Sequence, residues 1–299
     1  MTTSSPAGPF VVINPNSGHC SPEDVRRAIE SHFQVAAEIF ELVEGVDLAA
    51  AVKDAVARGR RPIIAAGGDG TVSAVADILA GTGVPLGILP LGTANVLARD
   101  LNLPLDLQAG CALLAGVTAE RSVDTMCING RSYLTQVGVG LDSLMIRDTT
   151  TVDKRRFGRV AYLWTAVARW AGFKRRTFTI GIDGKTLTIK GVQVVVANSG
   201  ILGEPPYRWG PDVALDDGRV DVCLVDVWNA ADTVRLIWHV ARGQHKQNSH
   251  LKYWKAAREV TIDARPSLPV QADGEVVGET PVRIEVNAGA LRVLVAGPA

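Results

Sequence analysis

The sequence predicts an α/β fold in the first part of the chain and an antiparallel β fold in the second. Up to about residue 125, short apolar runs alternate with segments whose apolar residues recur every three or four positions, which is typical of a parallel sheet covered by helices. From residue 126 onward, apolar runs come in pairs joined by Asn-Gly or Asp-Gly, the dipeptides of tight β-hairpins. We therefore predict two domains, over residues 1–125 and 126–287.

Composition narrows the class of protein. The 299 residues, 47% of them hydrophobic, are enough for two domains of ordinary size. Basic and acidic residues both number 31, so no overall field attracts nucleic acid, and we expect no nucleic-acid partner. The scattered cysteines lack CxxC spacing, and no run approaches the roughly 20 apolar residues that a membrane-spanning helix needs. We expect a cytoplasmic protein with reduced thiols.

The first predicted strand, over residues 10–13, leads into a polar turn. The turn is Asn14-Pro15-Asn16-Ser17-Gly18, whose backbone and side chains can donate hydrogen bonds to a ligand. The pattern then predicts a helix over 22–32, a strand over 36–43 and a helix over 47–58 with Gly59 as its C-cap.

The third strand leads into the stretch that organises the first domain. An apolar run over 62–66 ends at Gly67-Gly68-Asp69-Gly70-Thr71, and helical spacing begins at Val72. Glycines there permit positive φ and close approach of backbone N–H groups, and the helix start adds a positive dipole end, so we predict a phosphate site. A carboxylate repels phosphate, so Asp69 indicates Mg²⁺ or proton transfer. A tight turn in which Asp69 caps the helix explains the same residues equally well.

A third glycine turn follows the strand predicted over 84–90. We expect Gly92-Thr93 to start a helix that carries Asn95 and Arg99 on one face. Thr93 as an N-cap and Arg99 as a solvated charge are the ordinary alternatives. Ligands of parallel sheets bind beyond the carboxyl ends of the strands, and all three turns fall there, so we predict a triphosphate site.

The second half reads as antiparallel strands and hairpins. Asn129-Gly130 and Asp183-Gly184 are predicted hairpin turns. Further strands are predicted over 192–196, 220–225, 260–262, 282–286 and 291–295.

Short motifs along the chain resemble those of a known family in the same order. They are VVINPNSG (11–18), GGDGT (67–71), LPLGTAN (89–95), GVGLD (138–142), ANSG (197–200), ALDDG (214–218), ADGE (272–275) and TP (280–281). The family is that of the diacylglycerol kinase catalytic domain, and more specifically the soluble bacterial lipid kinases related to sphingosine and ceramide kinases. The resemblance implies a Rossmann-like ATP-binding domain over 1–125, a β-sandwich lipid-substrate domain over 126–287 and an ATP cleft between them. It also implies that the last strand, about 288–299, returns to the first domain.

The resemblance also implies roles for individual residues. Asp273 is the implied proton acceptor, with Glu275 in the same turn, and Asp69 is implied to act through Mg²⁺ and water. The Asp217 carboxylate and the carbonyls of Ala214 and Arg219 are implied to hold a second Mg²⁺. From the residues alone, an ordinary Asp-Gly turn explains Asp273, and a solvated turn explains Asp217. The implied nucleotide contacts are Asn14, Pro15, Asn16, Ser17, Gly18, Gly67, Gly68, Asp69, Gly70, Thr71, Thr93 and Asn95.

We therefore expect an ATP- and Mg²⁺-dependent kinase that phosphorylates a hydroxyl of diacylglycerol or a similar lipid alcohol. An NAD kinase, which shares the GGDGT-type loop, is the runner-up. A non-catalytic lipid- or nucleotide-binding homologue is a third hypothesis, because Ser73-Ala74 stand where the family has Asn-Glu. A transient membrane partner at the inner face is expected through the basic, apolar segment 153–176, although packing on the β domain explains that segment too. A homodimer is left open.

Overall fold

The computed structural model describes residues 8–18, 20–116, 118–148, 174–202, 207–210 and 212–297. The chain divides into two units, one formed by residues 1–125 with 288–299 and the other by residues 126–287. All but the last three residues of the basic segment 153–176 lie outside the described part of the chain.

A parallel sheet forms the centre of the first unit. Its strands are β1 (Phe10–Ile13), β2 (Glu38–Glu41), β3 (Ile63–Gly67) and β4 (Leu86–Pro90), in the order β2-β1-β3-β4. Val293, near the end of the last strand β16 (Val282–Ala296), pairs in parallel with Leu86. The turns after β1, β3 and β4 therefore lie at one edge, formed by the carboxyl ends of these strands.

Five described helices accompany this sheet. They are α1 (Pro22–His32), α2 (Leu48–Ala57), α3 (Asp69–Leu79), α4 (Val96–Asp100) and α5 (Leu107–Ala115). Ser21, Asp47 and Asp106 cap α1, α2 and α5 by accepting a backbone N–H of the first turn, which removes an unpaired donor from each helix start. α1 packs with α5 over alternate residues of β1 and β3, and α2 packs with α3.

Two expectations for the glycine turns are wrong. Gly67, Gly68 and Gly70 do not have positive φ, because Gly67 ends the strand, Gly68 is the extended N-cap of α3, and Gly70 already belongs to that helix. The helix expected from Gly92-Thr93 begins only at Val96, because Asn95 before it is left-handed with φ of 48°. Asn95 therefore does not share a helix face with Arg99.

Antiparallel strands build the second unit. They are β5 (Thr118–Ile128), β6 (Arg131–Tyr133), β7 (Gln136–Gly140), β8 (Arg176–Ile182), β9 (Lys185–Gly191), β10 (Gln193–Ala197), β11 (Val220–Val225), β12 (Leu251–Ala256), β13 (Glu259–Arg265), β14 (Pro269–Ala272) and β15 (Glu275–Glu279). One sheet has the order β12-β11-β10-β7-β14-β15, and a second group of strands has the order β16-β13-β8-β9. Side chains of both, among them Phe178, Val194, Val222 and Ile262, fill one apolar core. This arrangement confirms the predicted fold class.

The second unit also contains helices that were not predicted, α6 (Leu141–Asp148) and α7 (Ala230–Ala241). The start of α7 was readable, because Asn229 caps it by accepting the N–H of Asp232, and an Asn followed three residues later by an acid is a helix-start signal. Within the described part of the chain, no helix is long and apolar enough to cross a membrane.

Candidate functional site

Side-chain and backbone contacts join the first two turns of the parallel sheet. The Asn14 side-chain amide donates to Thr71 Oγ1 at 2.9 Å, and Asn14 Oδ1 accepts the N–H of Asn16 at 3.0 Å. The Ser17 N–H donates to the Asn14 carbonyl at 3.1 Å. Asn14 therefore orders its own turn and ties it to the start of α3.

Close backbone packing joins these turns to the third. Gly18 has φ of +76°, and a Cβ there would overlap the carbonyl oxygen of Leu91. A Cβ on Gly92 would lie 2.6 Å from Gly68 Cα. Both positions therefore require glycine for the fold itself, whatever they contribute to a ligand.

Asp69 links the second turn to the third. Its Oδ2 accepts the N–H of Asn95 at 2.9 Å, and its Oδ1 accepts the N–H of Val96 at 2.6 Å, so the carboxylate caps the short helix α4. The side chain of Asn95 binds both the N–H and the carbonyl of Gly92. The left-handed Asn95 thereby brings its backbone donor to Asp69, which sequence spacing could not reveal.

Gly70 has space around it that the fold does not fill. It is exposed, its φ is not positive, and a Cβ there would meet nothing within 4 Å. It lies in the first turn of the eleven-residue α3, where backbone N–H groups point outward. Asn16 and Thr93 are also exposed at this edge, and Pro15 lies between the two asparagines of the first turn. The twelve predicted nucleotide contacts thus belong to three linked turns.

Asp273 belongs to the second unit and is held by a dense set of donors. It is left-handed, with φ of 47°, and Gly274 follows at 87°. Its Oδ2 accepts the Leu134 N–H at 2.8 Å, and its Oδ1 accepts the N–H of Thr135 at 2.9 Å, the Thr135 hydroxyl at 2.6 Å and the N–H of Gln136 at 3.2 Å. Four donors match the roughly four lone-pair positions of a carboxylate.

Asp183-Gly184 repeats this geometry elsewhere in the same unit. Asp183 has φ of 48° and Gly184 has φ of 87°. The Asp183 carboxylate accepts the backbone N–H groups of Ala257, Arg258 and Glu259 at 2.9–3.0 Å, and these bonds lower its pKa, the one from Ala257 most. Asp183 also donates its own N–H to the carbonyl of Glu259, and Asp273 likewise donates its N–H to the carbonyl of Gln136. The Asp-Gly turn is therefore a recurrent device of this fold for holding the start of a neighbouring segment.

Glu275 differs from Asp273 although it stands in the same motif. It is exposed, and its Oε2 lies 3.6 Å from Arg131 Nη2. Among the described residues, no donor lies within hydrogen-bond distance of its carboxylate. Glu275 is therefore the more accessible of the two carboxylates.

Asp142, to which the sequence assigned no role, is connected to this turn. Part of the residue reaches solvent, but its carboxyl lies over Gly138 and accepts the Gln271 side-chain amide at 2.9 Å. The other end of Gln271 accepts the N–H of Gly274 at 3.1 Å. Burial raises the pKa of Asp142. The GVGLD motif was the signal for this position.

The loop that was expected to hold a second Mg²⁺ already contains a cation. Lys255 Nζ lies 2.7 Å from Asp217 Oδ2, donates to the carbonyl of Asp212 at 3.3 Å and is 3.6 Å from Asp221 Oδ2. Asp217 Oδ1 accepts the N–H of Arg219. The bond to Asp217 raises the pKa of Lys255, and burial raises that of Asp221.

This geometry matches an ammonium ion surrounded by oxygens. In the described ranges, no group of three His, Cys, Asp or Glu side chains is placed to hold a metal. Lys255 thus binds one oxygen of the Asp217 carboxylate that was expected to hold Mg²⁺, and we derive no chemical step from a metal there.

Two family models match consecutive parts of the chain. The diacylglycerol kinase catalytic domain matches residues 9–128, and the YegS C-terminal NAD kinase beta sandwich-like domain matches residues 135–295.

Curated relatives and solved structures extend over most of the chain. The diacylglycerol kinase of Bacillus subtilis strain 168 is 30% identical over 79% of this chain and 78% of its own length. The "Probable lipid kinase YegS-like" of Pseudomonas aeruginosa strain UCBPP-PA14 is also 30% identical, over 91% and 89% of the two chains. A crystal structure of a diacylglycerol kinase from Bacillus anthracis strain Sterne has the same fold, with a TM-score of 0.78, 23% identity and coverage of 98% of each chain.

Proposed function

Because the chain belongs to the lipid kinase family that joins a diacylglycerol kinase catalytic domain to a YegS C-terminal domain, we propose that it transfers the γ-phosphoryl group of ATP to a lipid alcohol. Diacylglycerol is the substrate we propose first, since it stands in the name of the Bacillus subtilis relative. The observation that carries the proposal is the set of three linked turns at one sheet edge, with the start of α3 and the space beside Gly70.

The nucleotide phosphates are proposed to bind at this edge. Backbone N–H groups at the start of α3 and the positive end of its dipole favour an anion beside Gly70. The side-chain oxygens of Asp69, Asn14 and Thr71 at this edge are ligands of the type that Mg²⁺ prefers, so a hydrated Mg²⁺ bound with ATP fits the chemistry there. When bound, Mg²⁺ would neutralise phosphate charge, and Asp69 would hold its water shell. Positioning and charge carry most of the rate in phosphoryl transfer.

We assign the proton acceptor to Glu275 and a positioning role to Asp273. A general base needs an oxygen that the substrate hydroxyl can reach. The oxygens of Asp273 are engaged by four donors, in the manner of the structural Asp183, whereas Glu275 is exposed in the turn that Asp273 holds. The resemblance implies Asp273 as the proton acceptor, and the hydrogen bonds of Asp273 lead us to propose Glu275 instead.

The proposal is tested by phosphate transfer from radiolabelled ATP. The purified full chain is incubated with Mg²⁺ and, in separate reactions, with a short-chain diacylglycerol, ceramide, sphingosine and NAD. We expect labelled phosphatidic acid from diacylglycerol and a large loss of label in Gly70→Ala. Labelling of NAD alone would replace the proposal with an NAD kinase. Nucleotide binding without transfer to any acceptor would identify a non-catalytic homologue.

A further inference from the structure

Helix α7 of the second unit carries apolar side chains on two opposite faces. Leu236 is buried against Val192, Cys223 and Val225, which attaches the helix to its unit. Val234, Ile237 and Trp238 point outward, with exposed fractions of 62%, 41% and 56%. Their spacing of three and four residues places them on one face. Trp228, two residues before the helix start, is 68% exposed. The outer face is therefore apolar without contributing to the core.

Arginines accompany both exposed tryptophans. The Arg175 guanidinium lies 3.9 Å from the ring centre of Trp228, and that of Arg242 lies 4.1 Å from the ring centre of Trp238. Arg235 is exposed one turn before Trp238. A guanidinium stacked on an indole leaves its N–H groups directed at the edge, where they can bind an anion such as a phosphate.

The acidic groups near this face are already paired. Asp226 binds Arg175 through two hydrogen bonds, at 2.6 and 2.9 Å. Asp232 accepts the N–H of Trp228 and lies 3.5 Å from His250 Nε2. Within the described residues, neither Arg235 nor Arg242 has an acidic partner. The outer face of α7 thus combines exposed indoles with a local excess of positive charge.

The exposed indoles and arginines of this face are better suited to contact with a bilayer surface than to contact with water. Scattered single apolar residues are normal on a protein surface, but four large ones grouped together, two of them tryptophans, mark an interaction site. Tryptophan is enriched at the headgroup level of membranes, and an apolar helix face bordered by arginine binds anionic interfaces. Charge complementarity therefore selects an anionic lipid surface as the occupant.

We propose that α7 and Trp228 dock the enzyme on an anionic bilayer. Val234, Ile237 and the two indoles enter the headgroup region, and Arg235 and Arg242 meet lipid phosphates. This inference rests on the proposed function to the extent that the lipid substrate lies in the same bilayer, but docking itself needs no turnover. Arg175, near the end of the segment 153–176, borders this surface through its contact with Trp228.

Vesicle flotation of the full chain tests the proposal. The probes are vesicles of phosphatidylcholine, with and without phosphatidylglycerol. We expect binding that requires phosphatidylglycerol and weakens with salt, because each arginine near an anionic surface contributes a salt-sensitive attraction. Ile237→Gln with Trp238→Gln and, separately, Arg235→Gln with Arg242→Gln should each lower binding about tenfold or more. Leu105→Gln, at an exposed apolar residue of the first unit, is the matched control and should bind normally.

Two further measurements separate the outcomes. Both double variants should keep the wild-type Tm and full turnover of a short-chain, water-soluble diacylglycerol, which removes folding and chemistry as explanations. Unchanged flotation in both variants would overturn the proposal. It would also be overturned if wild type were a dimer that Ile237→Gln with Trp238→Gln made monomeric without loss of flotation, since a second copy would then occupy the face. If no lipid alcohol is phosphorylated at all, the proposed function fails, and flotation still decides the docking.

Discussion

Replacing Asp273 by Asn is expected to weaken the fold of the second unit before it reveals anything about proton transfer. If the Asn oxygen takes the place of Oδ1, the amide nitrogen faces the Leu134 N–H, so that two donors oppose each other where a 2.8 Å bond existed. A hydrogen bond to a charged group contributes about 1.5–3 kcal/mol, and the three bonds to the other oxygen weaken as well, so we expect a loss of about 3 kcal/mol.

The thermal consequence can be measured directly. For a unit of about 160 residues, a loss of about 3 kcal/mol lowers Tm by roughly 6–12 °C. Asp183→Asn, which removes the same kind of turn, is the matched control and should also lower Tm, by less because three donors rather than four bind it. Glu275→Gln should change the free energy of unfolding by less than about 0.5 kcal/mol, as is usual for exposed side chains, and so leave Tm nearly unchanged.

Turnover separates the two carboxylates. Glu275→Gln should lower kcat by about 10² to 10⁴, the usual contribution of a general base, with the KM for ATP nearly unchanged. The measurements are thermal melts of the full chain and steady-state transfer to a short-chain diacylglycerol. The reasoning is refuted if Asp273→Asn keeps the wild-type Tm and loses kcat while Glu275→Gln stays active, because Asp273 would then be the base.

Three further predictions concern Gly70, the loop that contains Asp217, and the Asp183-Gly184 turn. Gly70→Ala should keep or raise Tm, since Ala is about 1 kcal/mol more favourable than Gly in a helix, but it should weaken ATP binding measured by calorimetry. Gly18→Ala should lower Tm as well, because its Cβ would overlap the Leu91 carbonyl. An unchanged ATP affinity in Gly70→Ala would mean that the phosphates bind elsewhere. Lys255→Met should lower Tm, because the Asp217 carboxylate loses its cation, and the Tm of this variant should rise when Mg²⁺ is added. EDTA should leave the wild-type Tm unchanged. A wild-type Tm that falls with EDTA would contradict this prediction. Hydrogen bonds lower the pKa of Asp183 in the folded state, so its contribution to the free energy of unfolding is complete above its ordinary pKa and is lost as pH falls through the lowered value. The difference in Tm between wild type and Asp183→Asn should therefore close below about pH 4. A difference that stays constant to lower pH would refute this prediction.

Local patterns in the sequence were enough for much of the fold. α1 and β11 were predicted to the residue, because an N-cap with a following proline marks the start of the helix and a run that is apolar except for Asp221 marks the strand. The two predicted closing strands are one continuous β16, although Gly289 between them is left-handed with φ of 59°. The resemblance to the lipid kinase family is confirmed by both family models.

The roles of the site residues depended on contacts that no local pattern contains. Asp273 and Asp183 look alike as Asp-Gly dipeptides, and only the donors 137 to 139 positions away show that Asp273 is held as firmly as Asp183. The conformation of Asn95 was equally hidden, because left-handed asparagine depends on the fit of the loop around it. α7 was not predicted, although Asn229 and Asp232 mark its start in the sequence.

The links between the three turns of the first unit also affect how much conformational entropy is lost when a nucleotide binds. The bonds from Asn14 to Thr71 and from Asp69 to Asn95 hold the loops in place before any nucleotide arrives. A flexible loop would lose conformational entropy on closing around phosphate, and that loss would be subtracted from the affinity. Here the ordering cost falls on folding instead. A substitution that cuts one of these links would therefore be felt in the entropy of nucleotide binding, even where every group that touches the phosphates remains.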